Sequence, residues 1–228
     1  MSMSSLLELV AVPRKSSANP EFVARQDSWY DFSKRVCDIV VASLALLLLS
    51  PLLAVVALFI KLTDFGPVLF VQTRVGQGGR QFRCYKLRSM VPNAERLKRS
   101  LASSNHHSDD RTFKIASDPR VTWIGRLIRK ASLDEVPQLW NVLRGEMSIV
   151  GPRPPVPSEV ARYSELDYRR LEVRPGLTCI WQVSGRANLP FEQQVLLDID
   201  YIEQRNFWLD TKLMFLTIPA VISGRGAY

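Results

Sequence analysis

Residues 39–60 read IVVASLALLLLSPLLAVVALFI, and how this run is disposed decides the fold. It carries no charge, and only Ser43, Ser50 and Pro51 break its apolar character. As a straight helix it reaches ~33 Å at ~1.5 Å per residue, enough to cross the hydrocarbon of a bilayer. It starts too late for a cleavable signal, and no small-residue cleavage site follows it. Pro51 removes a helical N–H near the middle and favours a bend there, and Ser50 beside it can satisfy a freed backbone group. Lys34 and Arg35 precede the run and Lys61 follows it. Cations prefer the cytoplasmic side, so positive charge at both ends suits a segment that dips in and returns. A kinked transmembrane helix fits the same residues, and the run alone does not separate the two.

Outward from this run the chain divides into three parts. Residues 1–28 mix Ser, Pro, Asn and charge and are expected to form a flexible leader. Residues 29–62 hold the membrane helix with its aromatic and cationic approach, WYDFSKRVCD (29–38). Residues 63–228 form the remaining domain. Within it, 68–75 and 80–90 alternate as strands around Gly76, Gly78 and Gly79, a hairpin that puts Lys86 and Arg88 on one face. PNAERLKRSLA (92–102) predicts a short amphipathic helix. The polar loop 103–111 holds His106, His107, Asp109 and Asp110, and reads as a solvated loop more readily than as a metal site. Over 118–130, Val121, Ile124, Leu127 and Ile128 have helical spacing, with cations on the other face. LRGEMSIVGPRPPVP (143–157) and VRPGLTCIWQVSGR (173–186) read as rigid, irregular turns, with a type II turn at Pro175-Gly176. The tail from Phe191 is helix-rich, and FWLDTKLMFLTI (207–218) suits an interface or the core surface. The fold class expected is α+β and mainly helical, with one small hairpin and amphipathic interfacial helices.

The formal charge of +8 calls for anionic company: acidic lipid, phosphorylated substrates or nucleic acid. The usual nucleic-acid helix and finger patterns are absent, so no nucleic acid partner is expected. Three scattered cysteines, Cys37, Cys84 and Cys179, without a CxxC pair, speak against a disulfide framework.

Asp134 and Glu135 stand side by side in RKASLDEVPQLW (129–140). One reading is local: Ser132 with Glu135 three residues later is a capping box, and Asp134 favours the positive helix end. That reading gives no task to the cations around the pair. Arg126, Arg129 and Lys130 lie upstream, Arg153 sits in a GPRP turn, and Arg174 and Arg186 flank the second turn. Guanidinium groups held by rigid turns suit phosphate oxygens. A carboxylate attacks a diphosphate only where cations neutralise the charge, which makes phosphoryl transfer the chemistry that uses both signs. The competing reading from another class is a non-catalytic, membrane-anchored basic adaptor for acidic lipid.

KxSLDExPQLxNVLxGxMSxVGPRP, present over 130–154, resembles the monotopic polyprenyl-phosphate phosphoglycosyl transferases of the bacterial sugar transferase family. KRxxD (Lys34, Arg35, Asp38), Ser50-Pro51, YKxRxM (85–90), DPRVTxxG (118–125), RPGLT (174–178) and DxxYI (198–202) extend the likeness from Lys34 to about Ile218. The resemblance is greatest to the small exopolysaccharide-initiating members. It implies transfer of a hexose 1-phosphate, galactose or glucose, from a UDP-hexose to undecaprenyl phosphate, with release of UMP. It implies a re-entrant helix broken at Ser50-Pro51 in the bacterial inner membrane, contacting its lipid, with the catalytic domain facing the cytoplasm. Asp134 is then the nucleophile with Mg²⁺ beside it, and Glu135 completes the dyad. Arg129 and Arg153 meet substrate phosphates, Lys86 assists near the diphosphate, Gln182 and Arg186 lie toward the nucleotide, and Asp198 supports the site; for these last three a structural ion pair or hydrogen bond is the competing role. A homodimer is compatible with these features. Cys179 stands where the family commonly has glycine, and strains the loop if that backbone needs positive φ or close approach to a ligand.

Overall fold

The computed structural model describes residues 28–94, 96–97, 118–184 and 189–223. Nearly all of the expected leader, the loop with His106, His107, Asp109 and Asp110, most of the helix expected over 92–102, and Arg186 lie outside the described residues.

Helix α1, Ser28–Asp64, takes in the apolar run and both basic flanks, with Pro51 inside it. Pro51 has no N–H for the Leu47 carbonyl four residues back, and Ser50 Oγ donates to that oxygen instead at 2.8 Å. One stripe of α1 faces the rest of the protein: Asp38, Ala42, Val56 and Ile60 are buried. Around the middle, Leu44, Leu47, Leu52 and Val55 are exposed, and Leu48 is 76% exposed. A soluble core helix hides such residues, whereas α1 is long and apolar enough to cross a membrane and leaves its middle uncovered, which suggests membrane association.

Both polar ends of α1 are fastened to the same body. Lys34 Nζ donates to Asp210 Oδ2 at 2.7 Å and to Val150 O at 2.9 Å. Arg35 donates to Val142 O and Leu143 O at 2.6 and 2.7 Å, satisfying carbonyls at the end of another helix. Asp38 accepts from Ser148 Oγ and from Ile149 N–H. At the far end, Asp64 pairs with Arg88. The KRxxD residues are therefore clamps between the long apolar helix and the domain.

The expected hairpin is present. Strands β1, Leu69–Val75, and β2, Gln81–Leu87, pair antiparallel with Phe70 opposite Lys86, around a 3₁₀ turn at Gln77–Gly79. Helix α2, Trp123–Lys130, is capped by Thr122, whose Oγ1 accepts from Gly125 N–H at 3.0 Å. Its Ile124 and Ile128 are buried with Val56, Ile60 and Leu87. Leu127, expected on that same stripe, is exposed instead, and so is Trp123. The buried face meets both α1 and β2, and at its edge Phe59 of α1 packs edge-on to Trp123 at 6.2 Å.

Helix α3, Gln138–Leu143, is tied to β2 by Asn141, which donates to Arg83 O and accepts from Tyr85 N–H. The two segments expected to be irregular turns instead contribute β3, Ser148–Val150, and β4, Gly176–Thr178, a short parallel pair. Gly176 has no positive φ, so the expected type II turn does not form there. A Cβ at Gly176 would lie 2.0 Å from Gly151 N, so contact between backbones selects the glycine. Short helices α4, Pro157–Val160, and α5, Glu165–Tyr168, lie between these strands. Helices α6, Ile180–Ser184, α7, Phe191–Gln204, and α8, Phe207–Ser223, complete the chain. The main core joins Ala42 of α1, Val142, Met147, Val150, Tyr201 and Leu213. Helix α8 buries Leu209 and Leu213 but exposes Trp208, Phe215 and Ile218, so it packs on the core and presents an apolar outer face. The protein is mostly helical with small sheets, in keeping with the α+β expectation.

Candidate active site

Asp134 and Glu135 occupy a 3₁₀ turn, Leu133–Glu135, directly after α2. Ser132 is left-handed, with φ 54, and its side chain caps nothing. The capping box expected from Ser132 and Glu135 is therefore not formed. The chain reverses at Ser132, and the Glu135 side chain turns away from the helix end toward cations on two other segments.

Lys86 Nζ, from β2, donates to Glu135 Oε1 at 2.6 Å, and Arg153 Nη1 donates to the same oxygen at 3.3 Å. Burial raises the Glu135 pKa, but Lys86 and Arg153 more than reverse this and hold it well below the ordinary carboxylate range. Asp134 differs in kind. No described residue donates a hydrogen bond to its carboxylate. Burial, then the Glu135 charge, raise its pKa to about 6, against the opposing pull of Lys86, Arg129 and Arg153. Two adjacent acids thus have separate states: one clamped and ionised, the other uncommitted and poised near neutrality.

Three elements bring these groups together. Lys86 is presented by β2, the acids by the turn after α2, and Arg153 by the GPRP turn after β3. That turn is held by Arg74, which donates through Nη1 to Pro154 O at 2.7 Å, and by Val75 N–H, which donates to Pro155 O at 2.9 Å. Arg129, in the last turn of α2, donates through Nε to Ser89 Oγ at 2.9 Å. Burial lowers its pKa, and Asp134 is the strongest charge opposing that shift. Arg126 and Arg174, which the sequence grouped with these cations, are exposed.

The other expected site residues are placed differently. Gln182 accepts from the buried Cys179 Sγ at 3.1 Å. Cys179 has no positive φ, so the expected backbone strain does not arise. Its thiol lies within electrostatic reach of Arg153, which puts the RPGLT segment beside the site. Asp198 is fully buried, accepting from Arg170 Nε at 2.9 Å and Trp181 Nε1 at 3.3 Å. It serves the packing of α6 and α7 and touches none of Lys86, Asp134, Glu135 or Arg153 through a hydrogen bond. Sequence reading passed over Arg74, Ser89 and Arg170. Ser89 alone had a signal, its place beside Arg88 in YKLRSM.

Among the described residues no three His, Cys, Asp or Glu side chains cluster as a closed metal site. Mg²⁺ seldom needs one, because it commonly takes one or two carboxylates and completes its shell with water and substrate phosphates. The unpartnered Asp134 carboxylate fits that donor set.

A family description for bacterial sugar transferases matches residues 29–224. The chain belongs to the bacterial sugar transferase family. The exopolysaccharide production protein ExoY of Rhizobium meliloti strain 1021 is 38% identical over 221 residues, covering 94% of this chain and 98% of ExoY. The galactosyl transferase CpsE of Streptococcus agalactiae serotype III is 44% identical over 199 residues, covering 86% of this chain and 43% of CpsE. The UDP-glucose:undecaprenyl-phosphate glucose-1-phosphate transferase of Caulobacter vibrioides is 41% identical over 206 residues, covering 87% and 73%. The chain thus spans under half the length of CpsE and nearly the whole of ExoY. In this chain the acid pair, Lys86 and the GPRP arginine form one constellation.

Proposed function

We propose that the protein transfers a hexose 1-phosphate from a UDP-hexose to undecaprenyl phosphate and releases UMP. The observation that carries this reading is the unequal state of the two acids: Glu135 is locked by Lys86 and Arg153, while the Asp134 carboxylate has no hydrogen-bond donor among the described residues. An Asp134 oxygen attacks the sugar-bearing phosphorus of the donor. The bond from that phosphorus to the bridging oxygen breaks, and UMP leaves with the oxygen and its electron pair. A phosphate oxygen of undecaprenyl phosphate then attacks the same phosphorus, displaces Asp134 and yields the lipid-linked diphosphate sugar. Arg129 and Arg153 hold phosphate oxygens and offset the charge that keeps an anionic nucleophile away. Lys86 keeps Glu135 ionised, and the Glu135 charge offsets part of the pull of the surrounding cations on Asp134 and raises its pKa. Asp134 would hold Mg²⁺ where it is used, and the ion would supply further charge neutralisation.

The relatives' names support the donor and acceptor classes, because one names glucose 1-phosphate transfer from UDP-glucose to undecaprenyl phosphate and another a galactosyl transfer. A re-entrant α1 is supported by its ends. A helix that crosses a bilayer has its polar ends on opposite faces, whereas Lys34, Arg35 and Asp38 at one end and Asp64 at the other all bind one polar body. The exposed apolar surface of α1, with Trp123, Leu127, Trp208 and Phe215, then faces the lipid of the inner membrane, and the active site faces the cytoplasm.

Purified protein incubated with UDP-galactose or UDP-glucose, Mg²⁺ and undecaprenyl phosphate tests the reading. UMP is the expected nucleotide product, and Asp134→Asn abolishes it. Release of UDP in its place identifies an ordinary glycosyltransferase and overturns the proposal.

A further inference from the structure

The side chain that aims Arg129 is Ser89. It follows β2 and is buried, and its own backbone is fixed from two sides. Thr122 N–H donates to Ser89 O at 3.1 Å, and Met90 pairs with Val121 in an isolated bridge. The first turn of α2 is pressed against the same carbonyl, since a Cβ on Gly125 would fall 1.9 Å from Ser89 O. One residue earlier, Arg88 is paired with Asp64 at the end of the membrane helix. The Ser89 backbone is therefore fixed where its side chain meets Arg129.

Its hydroxyl accepts from Arg129 Nε at 2.9 Å. An arginine has five N–H donors in a rigid planar fork, so holding Nε restrains the direction in which the other two nitrogens point. Among the described residues, nothing else accepts from Arg129, which leaves Nη1 and Nη2 both unpaired. Asp134 is the charge that acts on this guanidinium most strongly after burial. The fork is thus held on one edge by the fold and offered on the other beside the reactive carboxylate. That is the geometry required to grip two oxygens of one phosphate.

We infer that Ser89 is a positioning residue for phosphate recognition: it orients the Arg129 guanidinium so that both Nη donors face a substrate phosphate next to Asp134. This rests on the proposed phosphoryl transfer and specifies which protein contact presents the phosphate to it. Ser89 touches no reacting atom, so its contribution passes entirely through Arg129.

The test is a double-mutant cycle on the full chain in lipid nanodiscs, comparing wild type, Ser89→Ala, Arg129→Lys and the double variant, with Ser89→Thr as the conservative control. Two readouts are taken: calorimetric binding of inorganic pyrophosphate, and kcat/KM for UMP release from UDP-hexose. Loss of one hydrogen bond to a charged group is expected to weaken both by about tenfold in Ser89→Ala. Ser89→Thr keeps the acceptor and recovers most of the loss. Lysine has no Nε–H to orient, so in the Arg129→Lys background Ser89→Ala is expected to change neither readout by more than about twofold. Equal losses in both backgrounds would show that Ser89 acts through folding and overturn the inference, as would wild-type protein that binds no pyrophosphate. Pyrophosphate binding does not require turnover. Failure of the wild type to release UMP therefore counts against the transferase reading, while the cycle in binding still decides the role of Ser89.

Discussion

Glu135→Gln changes one charge and almost no volume, and the geometry sets what must follow for its neighbour. The Asp134 carboxyl is raised to about 6, first by burial and then by the Glu135 charge. Carboxyl groups on consecutive residues can be no more than ~10 Å apart. At that separation and an effective dielectric of ~20, two like charges repel by roughly 1.7 kcal/mol, or about 1.2 pH units. Neutralising residue 135 removes this repulsion and also frees Lys86 and Arg153 from the carboxylate they now bind. Both changes stabilise ionised Asp134, so its pKa must fall by at least about one unit. The nucleophile works as the carboxylate, so activity is lost as pH falls through this pKa and is full above it. The assay is release of UMP from UDP-hexose without acceptor, which isolates the step that uses Asp134, with kcat/KM followed from pH 4.5 to 8.5. Wild type should show an acid limb near 6. The variant has a lower plateau, because the constellation is disturbed, but its acid limb moves to lower pH. At pH 5 the variant keeps a larger share of its own plateau than wild type does. An acid limb that stays in place or moves upward refutes the electrostatic pairing of the two acids.

Other parts of the structure carry their own expectations. Lys34→Met leaves Asp210 without its cation in a site where both side chains are largely buried, a loss of about 3–5 kcal/mol. Thermal unfolding in detergent should occur many degrees lower, with partial recovery in Lys34→Met/Asp210→Asn; an unchanged melt contradicts the clamp. Gly176→Ala drives a methyl group into the Gly151 backbone and should cost about 1–3 kcal/mol or more, with loss of UMP release as the GPRP turn is displaced. Wild-type melting and turnover in that variant would show that the backbone contact is not required. Ser132→Gly removes the penalty of a left-handed residue, about 1 kcal/mol, and should raise the melting temperature by a few degrees; a lower one contradicts the assigned backbone.

Some of this was legible because the physical signal is strong and local. The run over 39–60 is too apolar and too long to be mistaken, and Ser50 does satisfy the carbonyl that Pro51 frees. Alternation around Gly76–Gly79 specified the hairpin and carried Lys86 into the site. Features that depend on contact between distant segments were not legible. Strands β3 and β4 are three residues each, too short for a period, and their Pro-Gly ends read as turns because Gly151 and Gly176 are chosen by their mutual approach. Leu127 has core spacing but faces outward, since the buried side of α2, Ile124 and Ile128, already meets both α1 and β2. Ser132 and Glu135 satisfy the capping-box pattern, yet Lys86 and Arg153 outcompete a backbone N–H for the Glu135 carboxylate. The acids and arginines of the site could be picked out by type, but not sorted by role. Exposed Arg126 and Arg174 look like Arg129 and Arg153 in sequence, and Arg74 and Ser89 act through a carbonyl and a hydroxyl that no spacing rule reveals.

The most direct measurement is the intact mass, followed by peptide mapping, of protein mixed with UDP-hexose and quenched before any acceptor is added. A hexose phosphate carried on the peptide containing Asp134, formed with an equal amount of UMP and discharged when undecaprenyl phosphate is supplied, is the expected result. Full turnover with no such adduct at any time, or turnover that survives Asp134→Asn, would contradict it.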